Sequence, residues 1–137
     1  NAGTWVNISF DDPPACHPPG TTHTHNDATN DTFSISQTGI YSINWGINFE
    51  DSSASPSSSV ACRILQNSAE ITGSLWEKDT TKQNSVGSMH HEAMASLNKD
   101  DKIKLQCTAG ATTVSFTNSG TYGDHRDIAT VIIKQLS

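Results

Sequence analysis

The sequence predicts an all-β fold, one antiparallel sandwich of about ten short strands. The clearest pointer is GIYSINWGINF, residues 39–49, where Tyr41, Ile43, Trp45, Ile47 and Phe49 alternate with Ser42, Asn44, Gly46 and Asn48. Such alternation is the period-two signature of a strand with one buried face. Helix-forming patterns are missing: no stretch sustains a 3.6-residue apolar period, Leu is scarce, and Ser and Thr fill a quarter of the chain. Turn-forming clusters recur at Gln37-Thr38-Gly39, 51–59, 98–101 and 118–124.

Further strand-like runs lie at 4–10, 32–36, 60–66, 87–97, 102–108, 112–117 and 128–136. Two segments interrupt them. Residues 11–30, DDPPACHPPGTTHTHNDATN, carry four of the five prolines and three of the six histidines. Proline removes backbone donors, so this is a Pro/His-rich loop rather than a central strand. Residues 51–59 form a Ser-rich connection with no chemistry in it. Neither an internal repeat nor a domain boundary is visible, and 137 residues suit one core, so residues 1–137 read as a single domain.

Composition excludes several function classes. Eight Lys and Arg against fourteen Asp and Glu give a net charge of -6 and no basic stripe, which disfavours nucleic acid as a partner. No apolar run approaches the roughly 18 residues of a membrane span, so no membrane insertion is expected. The opening residues lack a signal-peptide pattern, and the sequence reads as a mature or trimmed fragment. Catalytic signatures are absent: there is no G-x-S-x-G elbow, no H-E-x-x-H and no phosphate-cradling glycine loop. Asp124-His125 near Ser119 does not make a triad, because adjacent loop residues rarely supply that geometry. The chain is therefore read as not an enzyme and as requiring no cofactor.

Three cysteines allow at most one internal disulfide. Cys62 and Cys107 each sit inside a strand-like run, as a cross-strand bridge or as two buried thiols. Cys16 lies in the Pro-rich loop.

The order of these strands resembles the C1q/TNF jelly-roll family. The family's Phe strand running into G-x-Y is matched by DTFSISQTGIYSINW, with Phe33, Gly39, Tyr41 and Ile43 in place. A middle strand ends in a polar turn and restarts in VACRILQNSAEI. The K-G-D turn between two later strands corresponds to Lys99 and Asp101 in AMASLNKDDKIKLQC, with Asp100 replacing the usual Gly. The chain ends on ATVIIKQL, without the aromatic ending of animal members. In this it is more similar to bacterial members, such as the tips of collagen-stalk glycoproteins on the Bacillus spore exosporium.

The resemblance implies a homotrimeric, non-enzymatic globular head of a surface or secreted protein, extracellular or on a particle or spore surface. In 87–97, Met89, His91, Ala93, Ala95 and Leu97 share one face, and Ser88, His90, Glu92, Met94 and Ser96 the other. With Ala95 and Leu97 directed to the core, as the family match implies, His90, Glu92 and Met94 face a neighbouring copy. Three such heads would recognise a protein or glycan by multivalent contact.

Two metal readings stand beside this. His23 and His25, two residues apart on an extended loop, suit a transition metal. Calcium, which animal relatives bind through two loop aspartates, has Asp79 at one matching position, but Gly87 at the other. Trp76 and Tyr122 lie in polar connections where a ring would stack on a sugar, with His125 beside Tyr122. They define the alternative readings of a lectin-like head or a phage or virus fibre receptor-binding head. A cupin-type metal-dependent enzyme would need several inward His and a Glu, and His91 is the one inward candidate.

Overall fold

The structure, a computed structural model, describes residues 2–10, 31–117 and 128–137. Strands are β1 (Val6–Asn7), β2 (Phe33–Ser34), β3 (Gly39–Asp51), β4 (Ser59–Gln66) and β5 (Ala69–Glu70), followed by β6 (Trp76–Asp79), β7 (Gly87–Leu97), β8 (Lys102–Ala109), β9 (Val114–Phe116) and β10 (Ala129–Gln135). Every pairing among them is antiparallel. One sheet runs β1-β8-β4-β5, with β2 also on β8 and β6 also on β4. The other runs β10-β3-β7, with β9 also on β3. The chain passes between the sheets from β2 to β3, β3 to β4, β6 to β7, β7 to β8 and β8 to β9. This two-layer arrangement is that of a jelly-roll sandwich.

The core follows from the alternation in β3. Tyr41, Ile43, Trp45, Ile47 and Phe49 all point inward and are buried, with Tyr41 and Ile43 fully closed off. From the facing sheet they meet Val60, Cys62 and Ile64 of β4 and Ile103, Leu105 and Cys107 of β8, each at zero exposure. Burial of a large apolar side chain stabilises by roughly 1.5–3 kcal/mol. The indole of Trp45 remains satisfied because its Nε1 donates to the Ser74 carbonyl at 3.3 Å.

Cys62 and Cys107 are direct register partners on β4 and β8, 4.1 Å apart at Cα, and their sulfurs are bonded. The bridge spans 45 residues of sequence and pins the two central strands of its sheet.

Buried carboxylates organise the turns. Asp101, 8 % exposed, accepts from the backbone N–H of Asn98 at 2.8 Å and from Asn67 Nδ2 at 2.7 Å, and also from Gln66 Nε2. It thereby ties the β7–β8 turn to the β4–β5 turn. The Asn98 N–H, followed by the Asn67 and Gln66 amides, holds the Asp101 carboxyl below its ordinary pKa and outweighs the opposing effect of burial. Asp51, at the end of β3, is held low first by the Ser53 N–H and then by the hydroxyls of Thr113 and Thr80. In the β7–β8 turn Asp100 has φ 74°, the left-handed conformation that the family's Gly would adopt freely.

The restart expected in VACRILQNSAEI is β5, a two-residue arm of the β4–β5 hairpin. The element missing from the sequence expectations is β6 (WEKD), which has no apolar alternation and is held by register with β4. Trp76, expected in a polar connection, is therefore the first residue of an edge strand opposite Cys62. β1, β2 and β9 are shorter than the runs expected at 4–10, 32–36 and 112–117. Single backbone bonds continue beyond the ladders, as from Ile8 N to Leu105 O and from Ile35 N to Asp101 O.

Candidate interaction face

Register defines the outer face of the β10-β3-β7 sheet. Thr130, Gly46 and His90 form one row across it, Ile132, Asn44 and Glu92 the next, and Lys134, Ser42 and Met94 a third. Inward alternation on β3 forces the intervening residues outward, so the face is set by the same period that builds the core. Its polar centre is ordered. Ser42 Oγ donates to Glu92 Oε1 at 3.1 Å, and Asn44 Nδ2 donates to Ser42 Oγ at 3.0 Å.

Around this centre the face is apolar and open. Met94 is 64 % exposed, Ile132 62 % and Ile40 47 %, and Leu136 beyond the end of β10 is also exposed. Next to Ile132 the surface dips into a shallow groove lined by Asn44, His90, Glu92 and Thr130. Four large apolar side chains on one side of one sheet form a surface suited to packing against another protein surface.

His90, Glu92 and Met94 thus share this outer face, opposite the buried Met89, Ala93 and Leu97. Ile40, Ile132 and Leu136 belong to it too, and sequence reasoning did not single them out. The signal was present in the run Val131-Ile132-Ile133. An apolar strand without alternation is the pattern of a strand covered on both faces.

His91 points the other way, toward the side of the sandwich where β6 and β7 approach. Its ring stacks on Trp76 (centroids 4.8 Å, planes 15° apart) and meets Trp45 edge-on at 6.1 Å. Its Nε2 donates to the Gly73 carbonyl at 2.8 Å. Trp76 is 52 % exposed and lies beside the exposed Leu75. This ring both covers the sandwich margin and offers surface to solvent.

Asp79 ends β6, exposed, in a groove with Lys78, Thr80 and Lys82. Among the described residues no three His, Cys, Asp or Glu side chains gather as a metal site. His23, His25, Tyr122 and His125 lie outside the described residues, as does Cys16.

No curated protein matches the chain. The family model for the BclA C-terminal domain matches residues 6–136, from β1 to just past β10. The chain therefore belongs to the BclA C-terminal domain family, a family of structural terminal domains of collagen-like, spore-surface proteins.

Proposed function

We propose that this domain is a non-enzymatic trimeric head, in which the outer face of β10-β3-β7 packs against two further copies and the assembled head presents its remaining surfaces to a partner. The observation that carries the reading is the clustering of Ile40, Met94, Ile132 and Leu136, exposed together on that face. Covering them removes apolar area from water at roughly 25 cal/mol per Å². The hydrogen-bonded Ser42–Glu92 pair gives the centre of such an interface a defined shape. Trimeric presentation turns weak single contacts into avidity. Membership of a family of structural terminal domains supports the non-enzymatic part. Ile132→Asp and Met94→Asp test it: each should shift the protein to a single-chain mass with an unchanged β-sheet spectrum. Retention of the wild-type mass by both variants would overturn the interface.

A second reading is favoured by Trp76, whose ring is half exposed and braced from behind by His91. That geometry suits stacking on a sugar ring, as a lectin-like head would need. A glycan array with wild-type protein and Trp76→Ala decides it. Binding that disappears in the variant supports the lectin, and an array blank for wild-type protein rejects it.

A further inference from the structure

Five side chains at the start of the sandwich form a continuous set of contacts. Register places Asn7 of β1 opposite Gln106 of β8, and Lys104 lies two residues along β8 on the same face. Gln106 Nε2 donates to Asn7 Oδ1 at 2.8 Å. The other end of that carboxamide, Asn7 Nδ2, donates to Asp31 Oδ2 at 2.7 Å. Asp31 Oδ1 in turn receives Lys104 Nζ at 2.9 Å and Thr32 Oγ1 at 2.7 Å. The Asp31 side chain is 8 % exposed and that of Lys104 32 %. One buried carboxylate therefore bridges an amine and a carboxamide, and the carboxamide oxygen is held by a separate donor.

These are the components of acyl transfer to an amine: nucleophile, proton carrier, acyl donor and a donor to the developing oxyanion. We propose that Lys104 and Asn7 join in an intramolecular amide bond, with Asp31 carrying the protons and Gln106 stabilising the oxygen. Asp31 first takes a proton from the Lys104 ammonium, freeing the Nζ lone pair. Nζ then attacks Asn7 Cγ, and the Nζ–Cγ bond forms while negative charge moves to Oδ1 against Gln106. Asp31 returns its proton to Nδ2 and takes a second proton from Nζ. The Cγ–Nδ2 bond breaks and ammonia leaves, picking up the proton then on Asp31. The sum is one amine and one carboxamide giving one substituted amide and ammonia, with no oxidant, reductant or cofactor. Proximity within the fold supplies what a bimolecular reaction would lack.

The position gives the bond a consequence. β1 is held to β8 by two register pairs, both of its residues exposed. Val6 stands opposite Cys107, which is bonded to Cys62. An amide at Asn7 would complete a covalent ladder from β1 through β8 to β4.

Intact-mass and peptide-mapping spectrometry of the purified chain tests this. The expected result is the loss of one ammonia from the sequence mass with the Cys62–Cys107 bridge formed, and a branched peptide joining positions 7 and 104. Lys104→Arg and Asp31→Asn should each keep the unmodified mass while showing a folded β-sheet spectrum, and Gln106→Ala should slow the loss in a time course of fresh protein. Folded wild-type protein that holds the mass of the disulfide-bridged but otherwise unmodified chain after prolonged incubation would overturn the proposal. Loss of water with the branch at Asp31 would overturn the assignment of Asn7 as acyl donor.

Discussion

The imidazole of His90 fills the space that a side chain at position 46 would need. A Cβ built on Gly46 would fall 2.5 Å from His90 Nδ1 and 3.1 Å from Thr130 Oγ1. A glycine in the centre of the longest strand thus lets a ring from β7 lie flat across the sheet, and it shapes the surface on which the proposed assembly rests.

Gly46→Ala should therefore push the His90 ring outward without disturbing the β3–β7 register. The obstruction is a side chain that can rotate away, so thermal unfolding of the single chain should lose no more than about 1–3 kcal/mol. Assembly should suffer as well, by about tenfold or greater in dissociation constant, roughly 1.4 kcal/mol. Sedimentation across a dilution series, set beside a melting curve, separates the two effects.

Removing the bridge between β4 and β8 with Cys62→Ala and Cys107→Ala together should destabilise the fold by about 4 kcal/mol on the chain-entropy estimate for a loop of this length. Both sulfurs are fully buried, so wild-type protein should keep the bridge under mild reductant and lose it only with unfolding. Urea titrations of wild-type and doubly substituted protein, with and without reductant, measure both.

Acid should weaken the fold through Asp101 and Asp51. Both hold their protons less readily folded than at the ordinary value of 3.8. The unfolded chain therefore binds more protons near that pH, and stability contributed by these groups is complete above it. It is lost progressively as pH falls below 3.8 toward the depressed folded values. Asp101→Asn should lower stability at neutral pH and flatten the decline in acid, as read from melting temperatures over a pH series.

Much of this architecture was legible in the sequence, for reasons specific to each element. β3 announced itself because its core face alternates without a break from Tyr41 to Phe49, and β7 because two alternating sets fixed which residues would sit together. The placement of His90, Glu92 and Met94 on one face needed only that period. β6 was not legible: Trp-Glu-Lys-Asp has no alternation to read, and its extended shape comes from pairing with β4 across Cys62 to Ser59. The contribution of Ile132 was hidden for a different reason. A run of apolar residues in β10 says that both faces are covered but not by what, and the second cover belongs to the proposed assembly rather than to the chain. The Asn7–Asp31–Lys104 contacts join residues up to 73 positions apart, and no spacing along the chain signals them.

In the proposed assembly the outer face of β10-β3-β7 closes on other copies of the same chain. Light scattering coupled to size exclusion, run on wild-type protein over a dilution series, tests it most directly. The expected result is a mass three times that of the 14.7 kDa chain, persisting on dilution. A stable 14.7 kDa species at every concentration would contradict it.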